Sequence, residues 1–353
     1  MMSFRKKIIE KVDETPLVRR LREDFRLSTK RIKESVESEL EFPVCLFCNN
    51  PNIQNSHVIK KQTLKSMNNG KHFFTLAGKK RFIQSPLKED EMFATVANAF
   101  TFHLICNSCD KFSYENKSRS KEKYSQEDLK GIALKSRLKE LYDNFERYVY
   151  LGYKTENIFD KLVLGKLGST QYLVRNTIDD EARAIIKIRN ENRRYAVVAD
   201  HFLSFRVPFA MESFSAPIRM PESRIRIASN LVSLKGPSKT DDLSTFYTLI
   251  QPGGGVTDNW TRVTVFFEED DPIMRHWFNE FYTDVDDLKD LVNKLLSHHF
   301  SSSSKNFIMS TDINKDFLEK AISSRYTARE RNRINKEDWI RLAMEKPADN
   351  GKE

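Results

Sequence analysis

No apolar run in this chain comes near the roughly 20 residues that a helix needs to cross a bilayer, so a helical membrane protein is excluded. The opening stretch, MMSFRKKIIEKVDETPLVRRLREDF, is basic but has no apolar core leading to small residues. It does not read as a secretory leader, and a cytoplasmic location is expected. Cysteine is scarce, with 4 in 353 residues. All of them fall in two Cys-x2-Cys pairs, Cys45/Cys48 and Cys106/Cys109, with none left over. In a cytoplasmic chain that pattern points to a bound metal and away from disulfides. Acidic residues are missing from one long segment: between His57 and Lys88 there is no Asp or Glu. Internal repeats are absent too.

The chain is longer than one compact core usually spans, which suggests two domains or one with a large appendage. A hydrophobic share of 39% and a charged share of 31% fit a soluble globular protein. The net charge of +9 favours a polyanionic partner without proving one. Where the charge sits is more informative. Lys60, Lys61, Lys65, Lys71, Lys79, Lys80, Arg81 and Lys88 all lie in the acid-free segment. Such a block can be a solvated loop, but beside a metal site it reads better as a phosphate-contacting surface.

Residues 1–41 are charged and helix-like, a candidate N-terminal arm. Residues 42–124 hold the cysteine pairs and the basic insertion. A helical segment is expected over 125–200. Its first helix is amphipathic, opened by a Ser125 cap and an acidic first turn and ended by Gly152. From about 202 the period shifts to two, and HFLSFRVPFA, SRIRIASNLVSL, STFYTLIQ and TRVTVFFEE read as strands of an antiparallel sheet. PGGGV at 252–256 lacks phosphate-loop spacing and reads as a hairpin turn. The tail, within a C-terminal α+β domain over 201–353, returns to helix. The fold class expected is α+β.

Zinc in structural sites takes four N or S ligands in a tetrahedron, and each Cys-x2-Cys turn offers two thiolates from one tight knuckle. Cys45, Cys48, Cys106 and Cys109 are therefore expected to hold one structural Zn2+. The first knuckle is followed by SHVI, which reads as a strand. The second is preceded by FTFHLI, also strand-like, and followed by DKFSYEN, which opens as a helix. Strand, long loop, strand and helix around a metal make a zinc-stapled ββα, treble-clef-like finger.

These residues resemble the zinc-stapled, four-cysteine branch of the HNH, or His-Me finger, endonucleases. SHVIKK with ICNSCDKFSYE is similar to uncharacterised bacterial HNH-like proteins carrying a SHIIP-like strand and an LCxxCExxFSxYE-like knuckle. The resemblance covers about residues 45–118. It implies His57 as general base, Asp110 as ligand of a catalytic Mg2+ or Mn2+, and Glu115 as a further ligand. Ser56 stands where the family has a metal-binding Asp, and Asn98 or Asn55 is the nearest substitute for the Asn that orients the base. Hydrolysis of a phosphodiester needs a neutral imidazole and a cation to stabilise phosphate charge. The implied activity is a metal-dependent nuclease, DNA preferred, with a role in anti-phage or mobile-element defence. The alternative is a catalytically degenerate zinc finger that binds nucleic acid or a partner effector protein. Geometry separates the two. Convergence of His57, Asp110 and another oxygen ligand favours the enzyme, and a buried or averted His57 favours the binding module.

Overall fold

The structure is a computed structural model that describes residues 44–59, 61–67, 72–75, 93–97, 99–111, 121–156, 178, 181–215, 245–253, 258–282, 285–301, 307–310, 313, 316–317 and 338–345. The helical arm expected over 1–41, the strand SRIRIASNLVSL and the body of the helix expected after Asp110 lie outside them. Among the described residues no helix is long and apolar enough to cross a membrane.

The chain builds β1 (Ser56–His57), α1 (Lys61–Met67), β2 (His72–Thr75), β3 (Phe93–Thr95), β4 (Thr101–Phe102) and the long helix α2 (Gln126–Glu156). There follow β5 (Tyr195–Leu203), β6 (Phe209–Ser215), β7 (Phe246–Pro252), β8 (Thr261–Glu268), α3 (Pro272–Tyr282), α4 (Leu288–Ser301), β9 (Phe307–Ser310) and α5 (Trp339–Met344). The mixture of helix and antiparallel sheet is the α+β class.

Seven strands form one sheet in the order β3-β2-β9-β6-β7-β8-β5, and every neighbouring pair is antiparallel. The first two come from between the cysteine pairs and the other five from after residue 194. β9 joins the two sources, with Phe73 opposite Ser310 on one side and Phe209 opposite Met309 on the other. The cysteine-bearing segment and the C-terminal segment thus share a sheet. PGGGV begins where β7 ends, between two strands paired as neighbours. There Gly253 donates its N–H to the Trp260 carbonyl at 2.9 Å, and a Cβ at this position would collide with the Asp258 side chain.

Strand alternation sends successive side chains to opposite faces, and both faces of this sheet are covered. On one, Phe209, Met211, Phe246, Ile250, Val263, Val265 and Phe267 pack against α3, α4 and α5 through residues such as Trp277, Leu295 and Trp339. On the other, Ala210, Tyr247, Leu249 and Phe266 meet Leu129, Ile132, Leu138 and Leu141 of α2 and the core of the cysteine-bearing segment, Val58, Leu64 and Phe102. The order of layers is helices, sheet, then α2 with the cysteine-bearing segment.

The start of α2 follows its sequence signal. Ser125 Oγ accepts from the Asp128 N–H at 3.3 Å, and Asp128 Oδ2 accepts from the Ser125 N–H at 2.6 Å, a reciprocal cap. Two expectations are corrected. The helix passes through Gly152 and runs to Glu156, since one glycine inside a helix costs only about 1 kcal/mol against alanine. The helical segment expected over 125–200 ends early, because β5 begins at Tyr195 and pairs with β8 from Glu268 onward. Tyr195, Val197 and Val198 are aromatic and β-branched types that suit a pleated surface.

Candidate metal centre and the His57 pocket

Two turns bring the four cysteines together. In the first, the Asn49 N–H reaches the Cys45 carbonyl at 3.0 Å, with Asn49 at φ 57°, a left-handed conformation that Asn tolerates better than most residues. In the second, the N–H groups of Cys109 and Asp110 both reach the Cys106 carbonyl at 3.0 Å. Main-chain bonds clamp the turns to each other: Leu46 N–H to Leu104 O at 2.9 Å, and Gln54 N–H to Ile105 O at 3.2 Å. The four sulfurs all lie within 4.8 Å of one another, and Cys48 Sγ is 3.5 Å from Cys106 Sγ. A tetrahedron with zinc–sulfur bonds of about 2.3 Å needs sulfurs about 3.8 Å apart, so the set fits a zinc ion.

The thiols are primed unequally. Burial raises the Cys45 pKa, but main-chain hydrogen bonds from Cys106, Phe47 and Cys48 prevail and hold it at about 6. Burial, then hydrogen bonds with the other three sulfurs, push Cys109 up to about 12. A divalent cation among the sulfurs removes that conflict, because coordinated thiols ionise. Sequence reasoning missed one support. Arg189, on helical residues 181–190, donates to the Phe47 carbonyl at 3.1 Å and sets its guanidinium 4.4 Å from the Phe47 ring centre.

His57 lies beside this centre on β1, opposite Thr101 of β4. Its Nε2 is 2.8 Å from the Val96 carbonyl oxygen. A carbonyl only accepts, so Nε2 carries the proton and the lone pair of the neutral ring is on Nδ1. Asn55 Nδ2 donates to the Ala97 carbonyl at 3.0 Å, and the Val58 N–H to the Phe100 carbonyl at 3.0 Å. Phe100 holds φ 50°, rare for a bulky aromatic and a mark of a backbone fixed by its surroundings. The carbonyls of Val96, Ala97 and Phe100 therefore clasp the strand that carries His57, and the residue is left 9% exposed.

The His57 pKa is lowered. Burial is the main cause, the bond to Val96 opposes it, Lys61 and Lys135 lower it further and Asp110 raises it. In the unfolded chain a histidine takes up its proton near pH 6.5, while the folded chain takes it up only at lower pH. The unfolded state then binds more protons below about 6.5, so stability is full above that pH and falls as pH drops toward the folded value. Chemical denaturation of zinc-loaded protein across pH 5 to 8 is expected to show wild type losing more stability on acidification than His57→Gln, which keeps a donor for Val96. Parallel pH curves would sink the assignment.

No family model, curated protein or solved structure matches this chain.

Asp110 sits at the end of the second cysteine turn, where its Oδ2 accepts from Gln54 Nε2 at 3.0 Å and its Oδ1 lies 3.1 Å from Lys135 Nζ. The Lys135 contact is an ion pair off the hydrogen-bond axis, so Oδ1 has a compensating charge but no aligned donor. A lysine that no spacing in the sequence announces thus stands against the carboxylate expected to bind Mg2+ or Mn2+. Ser56 is fully buried with its Oγ unpartnered, and strand alternation turns it to the face opposite His57. Lys61 and Lys65 are exposed on α1, whose Thr63 and Leu64 face inward. Asn98, Glu115, Lys60, Lys71, Lys79, Lys80, Arg81 and Lys88 lie outside the described residues. Among the described residues the four cysteines are the one group of His, Cys, Asp and Glu side chains clustered closely enough to hold a metal ion.

Proposed function

We propose that this chain is a zinc-stapled, HNH-like module that binds nucleic acid, duplex DNA in the first instance, without metal-dependent cleavage. The observation that carries this reading is the state of Asp110, whose carboxylate is engaged by Lys135 and Gln54, while His57, on which both Lys135 and Asp110 act as charges, is nearly closed to solvent. Supporting it are the acid-free basic segment and the two exposed lysines of α1, which has no acidic residue in its first turn. Lysines so placed serve phosphate contacts, which give affinity without sequence readout.

Hydrolysis by the same pocket is the second reading, and a specific observation favours it. The neutral His57 ring has its proton fixed on Nε2 by Val96, which leaves Nδ1 as a base.

Fluorescence anisotropy with a labelled duplex over a salt series, run beside plasmid nicking with magnesium or manganese, separates the two. Wild type is expected to bind with steep salt dependence and leave the plasmid intact. Lys61→Ala/Lys65→Ala is expected to lower the slope of log K against log salt by about 2, since each phosphate that a lysine neutralises adds about 0.9 to it. Nicking by wild type that disappears in zinc-loaded His57→Ala would establish the hydrolase. A chain that neither retains DNA nor cuts it would overturn both.

A further inference from the structure

A divalent cation bound at Asp110 would meet a cation that the chain already supplies. Lys135 Nζ stands 3.1 Å from Asp110 Oδ1, and the two side chains are 3% and 13% exposed. Lys135 comes from the third turn of α2, where Leu134, Ser136 and Leu138 are buried as well. Its backbone therefore cannot move aside without disturbing the layer between the sheet and the cysteine turns. The second oxygen of Asp110 is held by Gln54, whose own N–H bonds the Ile105 carbonyl at 3.2 Å and so belongs to the clamp between those turns. Both carboxylate oxygens are thus tied to parts of the fold that are fixed by other bonds.

A hard divalent ion asks for six or more oxygens, or for several waters around one or two carboxylates. Here the Asp110 carboxylate is already compensated by Lys135, and among the described residues no group of His, Asp or Glu side chains clusters around it closely enough to hold a metal ion. A dication added at Asp110 would therefore sit against the Lys135 ammonium group.

We infer that Lys135 is the built-in counter-ion of Asp110: it positions the carboxylate and excludes a divalent cation, so that this site holds neither Mg2+ nor Mn2+. Lys135 is a positioning residue. The inference rests on reading the pocket as HNH-like, but its test reads ion occupancy, so its failure and a failure of DNA binding are told apart.

The experiment is a Mn2+ titration of the zinc-loaded full chain, followed by the electron paramagnetic resonance signal of free Mn2+. Wild type is expected to leave the ion free. Lys135→Met is expected to bind one Mn2+ per chain, and Asp110→Asn added to it to abolish that binding. Lys135→Arg, which keeps the charge, is expected to stay empty. One Mn2+ bound by wild type and lost in Asp110→Asn would overturn the inference, as would a folded Lys135→Met that gains no site. If Lys135→Met does not fold, Lys135→Gln, which also removes the charge, takes its place: one Mn2+ gained supports the inference, and a folded neutral variant that gains none overturns it.

Discussion

Cys106→Ser is expected to abolish metal binding at the four-cysteine site and to loosen a layer of the fold, well beyond the two cysteine turns. Cys106 is 2% exposed and belongs to the same buried cluster as Val58, Phe102 and the α2 residues Leu129 and Ile132. Structural zinc contributes about 10–16 kcal/mol to the folding of small zinc modules, and a serine hydroxyl is a poor replacement for a thiolate. Hydrogen exchange checks the result. Amides of residues 45–58 and 101–110 are expected to lose protection together, while those of β7 and β8 keep theirs. Cys48→Ser, at an exposed ligand, is expected to weaken zinc with a smaller loss of core protection, because no polar group is left inside the apolar cluster. Full protection of residues 45–58 in zinc-free Cys106→Ser would show that the fold does not depend on the metal.

Part of this architecture was legible in the sequence. Cysteine spacing identified the thiolate cluster, Ser125 with an acidic first turn located the start of α2, and alternation located β7 and β8. What escaped has physical reasons. Sequence periodicity describes an element with one wet face, but α2 is covered by the sheet on one side and the cysteine-bearing segment on the other. Lys135, Arg137, Lys139 and Asp143 are consequently buried, although their types suggest solvent. The partner of His57 is the Val96 carbonyl, a backbone group present at every position, so no residue type marks it. The pairing of β2 with β9 joins segments more than 200 residues apart in sequence, and short apolar runs do not encode their neighbours.

Arg137→Ala carries the other large expected effect. Arg137 is 5% exposed. Its Nη1 lies 3.1 Å from both carboxylate oxygens of Glu181, its Nε donates to the Tyr247 hydroxyl at 3.1 Å, and its Nη2 donates to Thr245 Oγ1 at 2.9 Å. Burial opposes the guanidinium charge, but Tyr247 and Glu181 more than offset it, and the pKa is raised above the ordinary arginine value. One side chain thereby ties α2 to the helical residues 181–190 and to β7. Truncation removes the guanidinium fork from the buried Glu181 carboxylate, and breaking such a pair costs about 3–5 kcal/mol. Arg137→Lys cannot reproduce the fork and is expected to fall between wild type and alanine. In a urea double-mutant cycle, Arg137→Met combined with Glu181→Leu is expected to recover much of the loss, since removing both charges removes the desolvation cost along with the attraction. If Arg137→Ala alone cost less than about 1 kcal/mol, the network would be decoration on a sheet held by its apolar faces. A double variant no more stable than Arg137→Ala would instead mean that Tyr247 and Thr245, more than Glu181, are what the guanidinium serves.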